Sequence, residues 1–451
     1  MKVHILGICG TFMGGIAALA REAGYEVSGS DLNVYPPMSD QLRALGIHLI
    51  EGWEPEQLDG DVDQIVVGNA LSRGKPVVEA MLNRRLTYTS GPQWLAEHIL
   101  QDKVVIAVAG THGKTTTSSM VAHILDQAGL QPGFLIGGVP GNFAVSARLG
   151  GGRYFVVEAD EYDSAFFDKR AKFVHYRPWV AVLNNLEYDH ADIYPDLESI
   201  RRQFHHLIRT VPADGKLIVR AQPSLQQTLA LGAFTPVEYF GEPGAAWSMQ
   251  NESPDWSVFT VHHEGQRATV RWSLFGAHNA DNAVAAIAAC HAVGVSIDVA
   301  VGALATFKNT RRRLEIRAQG RGITLWDDFA HHPTAYHATI QALRQKIAPG
   351  ERIVAIVEPR SATQKRGVHQ HEWAQALADV DELWVYRPEG LQWNVEQALS
   401  ALGPRVRVVD HTDQIVQALA QRGQAGDHWL VMSNGGFNGL YTSLMALVGA
   451  A

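Results

Sequence analysis

Val104-Val105-Ile106-Ala107-Val108-Ala109-Gly110-Thr111-His112-Gly113-Lys114-Thr115-Thr116 decides the fold. Its six leading apolar residues predict a strand buried on both faces, as in a parallel sheet. A glycine-rich turn follows and leads into a helical run, Ser118–Gln127. A bound phosphate needs inward-pointing backbone N–H groups, a cation, and a hydroxyl to hold Mg²⁺. A strand-to-helix turn ending Lys114-Thr115 supplies all three. The full phosphate-loop pattern wants glycine at 108, where this chain has valine, so the loop is a shortened variant. Its rival is an ordinary helix-starting turn with an exposed lysine.

Downstream, Val156-Val157-Glu158-Ala159-Asp160-Glu161-Tyr162-Asp163 closes another apolar strand, Tyr154–Val157. Carboxylates at the C-terminal edge of such a sheet can bind Mg²⁺ beside a triphosphate. Glu158, expected directly after the strand, is the favoured ligand. Asn184-Asn185-Leu186-Glu187-Tyr188-Asp189-His190 follows a third strand, Val180–Leu183. His190 there is a metal ligand, a general base or an ordinary loop histidine. In Gly276-Ala277-His278-Asn279-Ala280-Asp281-Asn282-Ala283, Asn279 and Asn282 stand three apart on one helical face. Their amides suit a purine edge, although Asn279 also suits a helix cap. Arg311-Arg312-Arg313 is either a solvated surface triplet or the source of an arginine for developing γ-phosphate charge.

Upstream, Gly7-Ile8-Cys9-Gly10-Thr11-Phe12-Met13-Gly14-Gly15 joins a strand at Val3–Leu6 to a helix. Its spacing departs from G-x-G-x-x-G, so it speaks only weakly for NAD. Asp31, ending the next predicted strand, suits a ribose hydroxyl or base N–H. Beyond residue 310, Asp327-Asp328-Phe329-Ala330-His331-His332-Pro333 and Glu358-Pro359-Arg360-Ser361 each leave a strand. Adjacent histidines point in different directions, which argues against a structural zinc site on that pair. Arg360 offers a guanidinium for a substrate carboxylate, or else a surface turn.

At about 150 residues per domain, 451 residues suggest roughly three domains. Alternating strands and helices divide them as 1–101, 102–310 and 311–451, with turns and short antiparallel strands expected over Glu242–Gln266. The fold class is α/β: a Rossmann-like N-terminal domain, a central phosphate-loop ATPase domain and a Rossmann-like C-terminal domain. A net charge of −8 argues against a nucleic-acid partner. Two cysteines, Cys9 and Cys290, cannot build a disulfide framework and fit a reducing, cytoplasmic compartment. Lys2 and the uncharged run Val3–Ala20 imitate a secretion signal, but Gly7, Gly10, Gly14 and Gly15 make it one βαβ unit, without membrane insertion.

Taken in order, the Gly-rich start, Gly110-Thr-His-Gly-Lys-Thr115, Glu158-Ala-Asp-Glu161, Asp189-His190, His278-Asn279-x-x-Asn282 and Arg313-Leu-Glu315 resemble the Mur ligases over essentially the whole chain. The His331-His332-Pro333 loop is similar to the branch acting on UDP-N-acetylmuramate. The wording of Gly7–Gly15, Asp31–Met38, Asp327–Pro333, Glu358–Ser361 and Ser433–Phe437 is similar to members that recycle cell-wall peptide.

The resemblance implies ATP-dependent joining of L-alanyl-γ-D-glutamyl-meso-diaminopimelate, the murein tripeptide, to UDP-N-acetylmuramate through an acyl phosphate. ATP contacts would come from Gly110, Thr111, His112, Gly113, Lys114, Thr115, Thr116, Asn279, Asn282, Arg313 and Asp328. Within these, Lys114 would hold the β/γ-phosphates and Arg313 the moving phosphoryl group. Thr115, Glu158 and His190 would bind Mg²⁺, with Lys114, His190 and Arg313 as the catalytic set. Gly7, Gly10, Thr11, Gly14, Asp31 and Asn142 would meet the UDP-sugar; His331, His332 and Arg360 would meet the peptide. Several family members carry a carbamylated lysine after the Asp-His motif, and this chain has no lysine between Lys172 and Lys216. Three rival readings are an L-alanine-adding ligase, an NAD-dependent oxidoreductase, and an ATPase that binds a protein partner without making bonds.

Overall fold

The computed structural model describes residues 1–35 and 38–449. Pro36 and Pro37 of the Asp31–Met38 motif lie outside the described residues. Three principal sheets follow one another along the chain. The first is wholly parallel, in the order His48–Glu51, Glu26–Asp31, Lys2–Leu6, Gln64–Val67, Tyr88–Ser90. The chain leaves Lys2–Leu6 for one neighbour and returns later on its other side. That reversal opens a crevice at the C-terminal end of the strand, where Gly7–Gly10 lies.

The central sheet runs Val237–Phe240, Lys216–Arg220, Val180–Leu183, Val104–Ala109, Tyr154–Ala159, Gly133–Leu135, Ala147–Arg148. Only the last pair is antiparallel. Val104–Ala109 therefore lies between Val180–Leu183 and Tyr154–Ala159, and the three loops richest in functional side chains leave neighbouring strand ends. The expected antiparallel stretch is a separate three-stranded sheet, Ser248–Asn251, Val258–His263 and Gln266–Arg271. The third principal sheet is parallel except for its first strand, Glu315–Gly320, paired antiparallel with Ile323–Asp328.

Glu158 does not follow its strand as expected: it is the fifth residue of Tyr154–Ala159, in parallel register with Val108. The ladder continues because Ala159 pairs with Ala109, beyond the apolar run that sequence reading used as the boundary. At Gly15, a Cβ would lie 2.2 Å from Leu135 Cδ1, so glycine lets the first helix, Thr11–Glu22, approach the central sheet. Among the described residues, no helix is long and apolar enough to cross a membrane.

Candidate active site

The turn after Val104–Ala109 can form only with glycines. Gly110 has φ +150°, and its Cβ would meet Asn184 Cβ at 2.9 Å; Gly113 has φ +79°, and its Cβ would fall 2.4 Å from Asn282 Oδ1. Helix Lys114–Gln127 then starts with Lys114 and Thr115 in its first turn. The Lys114 ammonium donates to Gly110 O at 2.6 Å, Thr111 O at 3.4 Å and Glu161 Oε2 at 3.2 Å. Burial disfavours its charge, but Glu161, Glu158 and Asp160 outweigh that and raise its pKa. The lysine thus folds back over its own loop, held by acceptors that an incoming phosphate would replace. The exposed-lysine alternative does not describe this side chain.

Asn184 and Asn185, unassigned in the sequence, brace the loop. Asn185 Oδ1 accepts the His112 N–H at 2.7 Å, its amide donates to His112 O at 3.1 Å, and Asn184 donates to Thr117 Oγ1 at 2.9 Å. Two amides directly after a fully apolar strand were the available signal.

Glu158 receives the Thr115 hydroxyl on Oε1 at 2.8 Å and the Gly137 N–H on Oε2 at 2.7 Å. His190 does not share Glu158 in this structure. Its Nε2 lies 2.8 Å from Glu161 Oε1, and its ring packs 4.3 Å from that of Tyr162. Glu161, only 2% exposed, therefore joins Lys114 to His190. Burial would raise the Glu161 pKa, but the two cations hold it down to about 2. Burial also opposes charge on His190, yet Glu161 and Asp189 leave its pKa above the usual value. Sequence reading quoted Glu161 without choosing it, because four residues could not say which carboxylate reaches the lysine.

A cleft of about 490 Å³ opens beside the loop, lined by residues of the central and third sheets' layers, among them Thr116, Asn279, Asn282, Arg313 and Asp328. Asn279 is not a cap: Gly276 caps helix Ala277–His291, and the Asn279 amide donates to Phe275 O at 2.8 Å. Asn282 Oδ1 accepts from Thr117 Oγ1 at 3.2 Å, tying this helix to the one behind the loop. Asp328 accepts from Leu314 N, Ala330 N and Thr339 Oγ1 at 2.8, 2.8 and 3.3 Å. The arginine triplet divides three ways. Arg311 is exposed; Arg312 donates to Ser433 O and Gly435 O; Arg313 lines the cleft, its guanidinium 5.0 Å from the Phe329 ring centroid. Positive φ at Arg312 and Leu314 accompanies that divergence.

In the N-terminal crevice, Gly7 takes φ +83°, and Gly10, Thr11 and Gly14 lie where the turn enters Thr11–Glu22. A Cβ on Gly14 would stand 2.6 Å from Met38 Sδ. Asp31 Oδ2 accepts the Cys9 N–H at 3.0 Å, so it shapes this turn. Asn142 is committed elsewhere: its amide donates to Thr306 O at 3.0 Å, and its Oδ1 accepts from Lys308 N at 2.8 Å. Contact with a muramoyl group would require releasing that brace.

His331 and His332 both turn toward the central domain's loop. His331 Nε2 stands 3.9 Å from Asp189 Oδ2, and His332 Nδ1 stands 3.4 Å from Glu187 Oε2. Arg360 is exposed and lies across Gly435, where a Cβ would strike Nη1 at 1.5 Å. Thr363 and His369, a few residues on, reach the Asp-His loop: Thr363 Oγ1 accepts from Ala191 N at 3.1 Å, and His369 Nε2 lies 2.8 Å from Tyr188 O.

The chain matches three family descriptions in succession: Mur ligase family, catalytic domain, over residues 2–103; Mur ligase middle domain over 108–290; and Mur ligase, glutamate ligase domain, over 312–435. It is 50% identical over 447 residues to UDP-N-acetylmuramate--L-alanyl-gamma-D-glutamyl-meso-2,6-diaminoheptandioate ligase of Escherichia coli, covering 99% of this chain and 98% of that one. It is 36% identical over 391 residues to UDP-N-acetylmuramate--L-alanine ligase of Renibacterium salmoninarum, covering 85% and 81%. The crystal structure of a murein peptide ligase from Psychrobacter arcticus matches with a TM-score of 0.76 at 45% identity, covering 100% of this chain and 99% of that one. Three successive family matches spanning most of the chain, with 50% identity over 99% of it, show that the chain belongs to the Mur ligase family.

Proposed function

We propose that this chain joins L-alanyl-γ-D-glutamyl-meso-diaminopimelate to UDP-N-acetylmuramate, using ATP and Mg²⁺, as a cytoplasmic enzyme of cell-wall peptide recycling. The observation carrying this reading is identity of 50% across 99% of the chain to the Escherichia coli enzyme of that name, against 36% across 85% to an alanine-adding relative. The oxidoreductase reading leaves Lys114, Glu158 and Arg313 without a purpose, and the bond-free ATPase reading requires ATP turnover that does not depend on the UDP-sugar.

The chemistry begins with a poor electrophile, since a carboxylate resists attack by an amine until its oxygen can leave. Transfer of the ATP γ-phosphoryl to the muramoyl carboxylate makes an acyl phosphate. The peptide amine then attacks, and the tetrahedral intermediate expels phosphate. In this reading, Gly110–Thr116 wraps the phosphates, and Lys114 exchanges its loop carbonyls for β/γ-oxygens. Arg313 reaches the transferring group, where charge develops. Asn279 and Asn282 face the adenine, and Asp328 the ribose. Gly7, Gly10, Thr11, Gly14 and Asp31 hold the UDP portion in residues 1–101, and Arg360, with His331 and His332, serves the peptide in residues 311–451.

The donors suit Mg²⁺, which prefers oxygen ligands. Thr115 and Glu158 present hydroxyl and carboxylate oxygens 2.8 Å apart at the loop, and His190 with Glu161 offers a second position. Mg²⁺ bound there would neutralise charge on the β- and γ-phosphates. Positioning does most of the remaining work: correctly held reactants can remove about 7–11 kcal/mol of barrier.

The test is phosphate release from ATP with UDP-N-acetylmuramate, comparing the tripeptide with L-alanine at equal concentration and identifying products by mass. Turnover with the tripeptide is expected. Turnover with L-alanine alone would sink the recycling assignment, and ATP hydrolysis indifferent to UDP-sugar would sink the ligase reading.

A further inference from the structure

His112, Glu187 and His332 come from three separated segments: the phosphate loop, the loop after Val180–Leu183, and the start of helix Pro333–Lys346. Their ligand atoms lie within 4.8 Å of one another. His112 Nε2 is 2.9 Å, and His332 Nδ1 3.4 Å, from Glu187 Oε2. Zinc bonds to nitrogen and carboxylate oxygen of about 2.0–2.2 Å place the donors of a tetrahedral site about 3.3–3.5 Å apart. Two of the three separations are thus already near ligand spacing.

A hydrogen-bonded cluster alone explains less. His332 is 3% exposed, and its Nδ1, the nitrogen that faces Glu187, is held only by the Thr334 N–H at 3.3 Å, a long bond that a cation at Nδ1 would replace. The His369 ring packs 4.5 Å from His332, and the His112 ring 4.7 Å from it, so three imidazoles gather beside the loop that carries Glu187. We propose that His112, Glu187 and His332 form a site for a d-block cation of the zinc class, joining the phosphate loop to the C-terminal domain. Glu187 also lines the nucleotide cleft, which leaves a fourth position open to water or to a bound molecule.

This site is distinct from the oxygen-rich position at Thr115 and Glu158, it stands whether or not the ligase reading holds, and it gives His332 to the cation, leaving Arg360 and His331 for the peptide. The cation would act as a staple. His332 belongs to the domain that supplies Asp328 and Arg360, so coordination resists separation of that domain from the phosphate loop.

The test uses the full chain, stripped with chelator and held in excess Mg²⁺, titrated with Co²⁺. One equivalent should produce the intense visible band of a tetrahedral ion, which Zn²⁺ then bleaches. Glu187→Gln and His332→Ala should lose the band, and His190→Ala should retain it. Because a variant can fail to fold, X-ray absorption of the unmodified chain carrying one equivalent of Zn²⁺ reads the site directly; two imidazoles and a carboxylate are expected. Absence of the band, its survival in both variants, its loss in His190→Ala, or an all-oxygen zinc shell would each overturn the proposal.

Discussion

Replacing Glu161 with glutamine isolates the most consequential ion pair in the site. The carboxylate is 2% exposed and stands between the Lys114 ammonium at 3.2 Å and His190 Nε2 at 2.8 Å. Burial alone would lift its pKa above 4.5; the two cations instead take it to about 2. At about 1.36 kcal/mol per pH unit, that gap corresponds to about 3 kcal/mol. Breaking a buried pair by deleting one partner costs ~3–5 kcal/mol, because the other charge remains desolvated. The two routes meet near 3 kcal/mol, the expected loss for Glu161→Gln at pH 7. Since the native pKa is depressed, this stabilisation is present above about pH 4.5 and disappears as pH falls through 2. The difference between parent and variant should therefore narrow as pH falls over that window, and narrow again as pH rises past the usual histidine range toward deprotonation of His190, whose pKa the same carboxylate raises.

Domain-resolved hydrogen exchange over residues 104–127 and 154–171 is the assay, since global unfolding of several domains is not one transition. Adding Lys114→Met removes the stranded ammonium and should recover part of the loss. A loss under about 1 kcal/mol at pH 7 in a folded variant, or a double variant no more stable than Glu161→Gln alone, would refute the reasoning.

Other perturbations separate the ligand sites. Lys114→Ala should abolish ligation and leave UDP-sugar affinity nearly intact by calorimetry; equal losses would show that the two nucleotides do not occupy separate domains. Arg360→Ala should raise the KM for tripeptide at least tenfold while the KM values for ATP and UDP-sugar change little, and an unaffected peptide KM would place recognition elsewhere. Gly15→Val puts a side chain where Leu135 Cδ1 lies 2.2 Å away, so overpacking of about 1–3 kcal/mol should lower the melting temperature of the N-terminal domain. A melting temperature unchanged within error would mean that this helix contact is soft.

Periodicity and turn chemistry made much of the fold readable. Val104–Ala109 and Val180–Leu183 are strands where the apolar runs predict them. A buried parallel strand declares itself through uninterrupted apolar residues. Half-polar strands such as Glu315–Gly320, or the hairpin of Asp163–Ala165 and Asp168–Ala171, carry no such run and are recognisable only through their partners. Glu158 shows the same limit, since a carboxylate inside a ladder looks like the residue after it.

Sequence by itself singled out the loops proposed to carry chemistry, because glycine, lysine and clustered carboxylates stand together at their strand ends. Tertiary structure decided how those loops share their side chains. Strand order put Tyr154–Ala159 and Val180–Leu183 on either side of the phosphate loop, and so gave Lys114 to Glu161 and Glu161 to His190. It engaged Asn142 in a brace with Thr306 and Lys308, and set His332 beside His112, 220 positions earlier in the chain. Local patterning records what one segment can form alone. Contacts between distant segments depend on sheet order and domain packing, which no short stretch encodes.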